Sequence, residues 1–121
     1  MAEQQSTRLK VKDITGVSLV EFADRKILDE MCIHEIQEEL ASLVSKQVGG
    51  NLLLSFRNVD HLSSAALGML ITLKKKVEEN QGQLKLSDIN PQIFEVFRIT
   101  RLNKLFDIHP SIDKARAAFQ S

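Results

Sequence analysis

Asn51–Leu73, NLLLSFRNVDHLSSAALGMLITL, decides how the chain folds. Its opening run, Leu52-Leu53-Leu54-Ser55-Phe56, is too short for a comfortable helix and reads as a buried strand. Arg57 to Leu62 is a polar loop. From Ser63-Ser64 onward, apolar residues at Ala66, Leu67, Leu70, Leu73 and Val77 follow helical spacing. A central strand therefore runs through a loop into a helix whose first turn carries two serines. A serine hydroxyl there accepts a hydrogen bond from one of the unpaired N–H groups of the first turn. The same position tolerates a phosphate locally, because a helix N-terminus carries partial positive charge and free donors. A phosphate would still add about two negative charges to the surrounding surface, and a protein docked over that turn would meet repulsion and a desolvation cost. The serine pair thus reads as a plain cap, the commoner case for so short a motif, or as a candidate switch.

Size and charge narrow the class. A chain of 121 residues is expected to form one domain over 1–121 with a real core, residues 1–6 being polar and frayed. The 16 basic and 16 acidic residues cancel, which disfavours nucleic acid as the main partner. No apolar run approaches the roughly 20 residues needed to cross a bilayer, and Met1–Ser6 lacks the apolar stretch of a signal peptide. The single cysteine, Cys32, excludes an internal disulfide and a CxxC-type metal site. A cytoplasmic protein without metal or cofactor is the simplest expectation.

Outward from the central stretch, Leu9, Val11 and Ile14 alternate with charged residues and Val17–Phe22 is a second strand. Thr15-Gly16 is the turn between them, so residues 8–22 form a hairpin. Ala23–Lys26 is a loop. The spacing predicts a helix over about Asp29–Val48, with Ile33, Ile36, Leu40, Leu43 and Val44 on one stripe, Cys32 flanking it and His34 on the polar side. Gly49-Gly50 ends that helix. The serine helix runs to about Asn80, where Gln81-Gly82 stops it. Lys74–Lys76 form its solvated face. Gln83–Ile89 alternates as a strand. Asn90-Pro91 opens a short apolar helix to about Ile99, Leu105–Ile108 is a final strand, and Ser111 caps a last helix in which Ile112, Ala115 and Phe119 face inward. The order β-β-α-β-α-β-α-β-α implies a mostly parallel sheet with a hairpin at its start.

These segments together resemble a STAS domain, and within that family the bacterial anti-sigma-factor antagonists. The resemblance rests on N-V-D-H-L-S-S-A-A-L-G-M-L after a strand, G-Q-L-K-L, N-P-x-I-x-x-V-F and L-x-K-L-F-D-I in that order, covering about residues 8–119. It implies an α/β domain with a mixed sheet of four to five strands and helices mainly on one face. It implies binding to an anti-sigma factor that is also a serine kinase, release on phosphorylation of a serine at the start of the second helix, and resetting by a serine phosphatase. A homodimer is compatible with it. The family segment Asp-Ser-(Ser or Thr)-Gly-Leu-Gly, anchored on Leu67-Gly68, places the acceptor on Ser64. Ser63 stands where the family has its aspartate, Ala66 replaces the first glycine, and Asp24 is the one remnant of the usual Gly-x-Leu-Asp after the second strand. Arg101 occupies a position where glycine is common.

Two functions follow from the resemblance. One is a phosphorylation-gated module docking its partner through Asp24, Asp60, His61, Leu62, Ser63, Ser64, Ala65 and Met69. Loop polarity explains Asp60 and His61 equally well, and Met69 reads equally as a contact and as a core residue. The other is a constitutive adaptor, in a signalling complex or a lipid transporter, without a switch. An enzyme is not expected: the chain has no glycine-rich phosphate loop and no G-x-S-x-G elbow, His34, His61 and His109 are scattered, and a serine held as a helix cap is not an activated nucleophile.

Overall fold

The computed structural model describes residues 9–14, 16–46 and 50–119. Expectations for residues 1–6 and 8, for Thr15 and for Val48-Gly49 fall outside that set. The elements in chain order are β1 (Leu9–Ile14), β2 (Val17–Phe22), β3 (Lys26–Ile27), α1 (Glu30–Lys46), β4 (Asn51–Ser55), β5 (His61–Leu62) and α2 (Ser64–Glu79). They continue with β6 (Leu84–Ser87), α3 (Pro91–Ile99), α4 (Leu102–Leu105), β7 (Asp107–His109) and α5 (Ile112–Phe119). A five-stranded mixed sheet runs β1-β2-β4-β6-β7. The hairpin is antiparallel, from Leu9 opposite Phe22 to Ile14 opposite Val17. Each later neighbour is parallel, so the chain must cross over between strands, and α1, α2 and α3 make those crossings. β3 and β5 form a separate two-residue ladder inside segments expected to be loops.

The pleat sorts the side chains. Val20 and Phe22 of β2, Leu52 and Leu54 of β4 with Phe56 just beyond it, and Leu84 and Leu86 of β6 share a core with Ile33, Ile36 and Leu40 of α1, Leu70 and Leu73 of α2, and Ile93 and Phe97 of α3. The alternate positions Val17, Leu19 and Leu53 point the other way and pack with Ala115 of α5 in a second, smaller cluster. Among the described residues α5 is therefore the one major helix on the far face. Its presence explains why Lys85, polar in an alternating strand, is only 8% exposed. The Lys85 ammonium pairs with Asp107, its register partner on β7, and lies 5.1 Å from the centre of the Phe119 ring. His109 Nε2 stands 3.1 Å from the other Asp107 oxygen, off the line of a hydrogen bond.

Burial alone would raise the pKa of Asp107; the Lys85 ammonium, with His109 behind it, more than offsets this and holds the carboxyl below its ordinary value. A carboxyl depressed in the folded state contributes stability above its unfolded pKa of about 4, and that contribution is lost as pH falls through the folded value. Asp107→Asn should thus flatten the decline in unfolding free energy below about pH 4, and cost about 0.5–1 kcal/mol at neutral pH, because the Asp107 side chain is 50% exposed and its pairing with Lys85 is screened by solvent. Urea titrations at pH 3 and pH 7 measure both.

Arg101 shows why a glycine is common at its position. It caps the start of α4 at φ 64°, in the left-handed region that a side chain disfavours. Arg101→Gly should stabilise the chain by about 0.5–1 kcal/mol, read as a rise in the urea midpoint.

Candidate functional site

The turn ahead of α2 is built by the β3–β5 ladder. Lys26 lies opposite His61 and Ile27 opposite Leu62. The Arg25 carbonyl accepts N–H bonds from Asp60 (2.7 Å) and His61 (3.1 Å), and the Ile27 carbonyl accepts from Ser63 (3.1 Å). The segment after β4 is thereby laced to the segment before α1. The Arg25 guanidinium repeats the link at side-chain level, with Nε 3.0 Å and Nη2 2.8 Å from Asp60 Oδ2. The pair is largely exposed, so it fixes geometry more than it stabilises. From the other side Asn90 donates to the Val59 carbonyl (3.1 Å) while its Oδ1 accepts the Ile93 N–H (2.9 Å), tying the loop to the start of α3.

This frame delivers two serines with different roles. Ser63 has the extended backbone of a cap, φ −88° and ψ 170°, and its Oγ accepts the Ala66 N–H at 3.1 Å. Its carbonyl accepts the Leu67 N–H at 3.1 Å. Ser64 is the first residue of the helix proper and is exposed, as is Ala65. The helix has no acidic residue in its first turn, so the positive end of its dipole is uncompensated from within α2.

The other expected contact residues divide. His61 is exposed, and Asp60 and Leu62 are half-buried around the same turn. Asp24 is half-buried one residue before Arg25 and accepts from the Cys32 Sγ at 3.4 Å, which ties it to α1. Met69 is 5% exposed and belongs to the main core. It also floors an open groove between the two crossing helices, lined by Glu30, Ile33, His34 and Gln37 of α1 and by Ala65, Gly68 and Thr72 of α2. Gly68 leaves that groove unobstructed, since a Cβ added there would meet nothing within 4 Å. Among the described residues no group of three or more His, Cys, Asp or Glu could hold a metal, and no helix is long and apolar enough to cross a membrane.

The model of the STAS domain family matches residues 9–115. The chain belongs to the STAS domain family. It is 31% identical over 87 residues to BtrV of Bordetella bronchiseptica, a protein named provisionally as an anti-sigma factor antagonist, covering 72% of this chain and 74% of that one. It is 29% identical over 73 residues to the anti-sigma-B factor antagonist of Bacillus subtilis, covering 60% of this chain and 65% of that one. The STAS fold is matched by the structure of an anti-sigma-factor antagonist (STAS) domain protein from Planctomyces limnophilus, with a TM-score of 0.86 at 18% identity over 93% of this chain and 98% of that one. STAS anti-sigma-factor antagonists are non-enzymatic binding proteins.

The STAS turn holds features that the sequence did not reveal. A two-residue parallel ladder is too short for any periodicity to announce it, and the Arg25–Asp60 pair joins residues 35 apart. The available signals were Leu62, an isolated apolar residue between polar neighbours at the entrance of α2, and the apolar pair Ile27-Leu28 ahead of α1.

Proposed function

We propose that this STAS domain is a cytoplasmic anti-sigma factor antagonist. It binds an anti-sigma factor with serine-kinase activity, and phosphorylation of Ser64 ends that binding until a serine phosphatase restores it. The observation that carries this reading is the division of labour between the two serines. Ser63 is committed to the cap through its Oγ, whereas Ser64 stands exposed on the first turn. A kinase can reach the second without dismantling the helix start. Unphosphorylated, the turn offers small, partly apolar contacts at Leu62 and Ala65 with Asp60 and His61 beside them. A phosphate there is stable on the positive end of α2, yet it must be desolvated against anything docked on the turn. The change is local charge and hydration, with no rearrangement of the fold required.

A constitutive adaptor without a switch is the second reading, and Ser63 in place of the family aspartate together with Ala66 in place of a glycine favours it. Incubation with ATP and the purified anti-sigma factor kinase of the same organism, followed by mapping of the phosphate by mass spectrometry, separates the two. Phosphate is expected on Ser64 in the wild type and in Ser63→Ala, which should lose only about 1 kcal/mol of stability with its cap. Ser64→Ala should take up none. A wild type left unmodified at Ser64 would favour the adaptor.

A further inference from the structure

Beside the serine turn, two large apolar side chains stand in solvent: Leu28 is 49% exposed and Met31 67% exposed. Leu28 follows Ile27, whose carbonyl holds the Ser63 N–H, so this apolar step adjoins the α2 cap. Met31, His34 and Glu38 recur at helical spacing on α1 and form a ridge beside the α1–α2 groove. His34 Nε2 lies 3.3 Å from Glu38 Oε2. Between Ile27 and Ser45 the chain has five carboxylates, Asp29, Glu30, Glu35, Glu38 and Glu39, and no lysine or arginine. The surface is therefore polarised along α1: apolar at Leu28 and Met31, anionic at Glu38, which is seven residues or about 10 Å further on. Glu30 is the groove carboxylate at the apolar end, where the α1 dipole offsets its charge.

We propose that this groove, together with Leu28 and Met31, receives one amphipathic helix of the anti-sigma factor partner. The helix sets an apolar anchor on Leu28 and Met31 and a lysine or arginine two turns away on Glu38. The inference rests on the reading of the α2 turn as a docking face. A helix suits a groove between two helices whose α2 wall, Ala65, Gly68 and Thr72, is low. The basic residue follows from the acidity of α1, whose glutamates Glu30, Glu35, Glu38 and Glu39 all precede its one lysine, Lys46, in the last turn. The arrangement also explains why a phosphate on Ser64 would act at a distance from the salt bridge: it lands at the apolar end, where the anchor has to be desolvated.

The test is titration calorimetry of the unphosphorylated domain against the purified anti-sigma factor kinase of the same organism, at low and high salt. Met31→Asp and Leu28→Asp should each weaken binding at least tenfold, and thermal melts should be unchanged because both side chains are in solvent. Glu38→Lys should weaken binding about tenfold and reduce its salt dependence, while Glu79→Lys, the same charge change at the far end of α2, should do neither. Wild-type affinity in the Met31, Leu28 and Glu38 variants, with binding lost in Ser64→Glu, would overturn the groove and leave the function standing. Equal effects of Glu38→Lys and Glu79→Lys would overturn it as well. Failure of the wild type to bind would overturn both. A dimer in light scattering that Met31→Asp dissolves would give the groove to a second copy of this chain, against the proposal.

Discussion

Gly82→Ala is expected to lower the thermal midpoint by roughly 10 °C, the equivalent of about 3 kcal/mol for a chain of this size. The reason is a close approach of two backbones. A Cβ on residue 82 would stand 2.0 Å from the Gly50 carbonyl oxygen, 3.0 Å from its carbon and 3.3 Å from Val77 Cγ1. The backbone has no slack to move away. Gly82 donates its N–H to the Val77 carbonyl at 2.9 Å, the Gln83 carbonyl accepts the Leu52 N–H at 2.9 Å, and the Gln83 N–H reaches Asn51 Oδ1 at 3.2 Å. Relief of the clash must therefore pull apart either the end of α2 or the start of the β4–β6 ladder. Gly68→Ala is the matched opposite. Its Cβ enters open space, and alanine gains up to about 1 kcal/mol over glycine within a helix. Calorimetric melts of the two variants should move in opposite directions. An unchanged midpoint for Gly82→Ala would mean that α2 does not end against the start of β4 as described.

Under the proposed function, Ser64→Glu is expected to weaken binding to the proposed partner, an anti-sigma factor kinase, at least tenfold, or about 1.4 kcal/mol, while leaving stability equal or slightly higher. The two signs differ for a physical reason. Ser64 is exposed and is not the cap, so no hydrogen bond that holds α2 is lost. A carboxylate in the first turn of a helix is favourable by a few tenths of a kcal/mol up to about 1. Against a docked partner, the same carboxylate must shed water. Weaker binding in this variant cannot then be ascribed to unfolding. Ser64→Ala should bind as the wild type does and ignore the kinase. Tight binding by Ser64→Glu would remove charge from the mechanism.

Much of this was legible in the sequence because its signals are local. The hairpin followed from alternation at Leu9–Phe22, and the central strand from Leu52–Phe56. The α2 start followed from Ser63-Ser64 ahead of a 3.6-residue period, and the α3 start from Asn90-Pro91, whose cap bond to the Ile93 N–H is present at 2.9 Å. Where the outcome depended on residues distant in sequence, the residues alone were silent. Lys85 reads as a solvent-facing lysine until α5 arrives over the sheet and Asp107 arrives beside it. The β3–β5 ladder consists of two residues on each side, below the length at which any pattern repeats. The final strand was expected at Leu105–Ile108 but occupies Asp107–His109 because Leu102–Leu105 closes a short helical turn after the left-handed Arg101. At the candidate site, the serine pair could be placed at the helix mouth from spacing, but which hydroxyl is the cap could not. That depends on backbone angles fixed by the Ile27–Ser63 hydrogen bond, outside the motif itself. Met69 fell at the boundary of the α2 stripe, and the packing of α1 against α2 puts it on the buried side.

The most direct measurement is titration calorimetry of the purified anti-sigma factor kinase with two preparations of this domain, one unmodified and one fully phosphorylated on Ser64. Binding by the unmodified preparation, weakened at least tenfold in the phosphorylated one, is the expected result. Equal affinity of the two preparations would contradict the proposal that charge on the first turn of α2 governs docking.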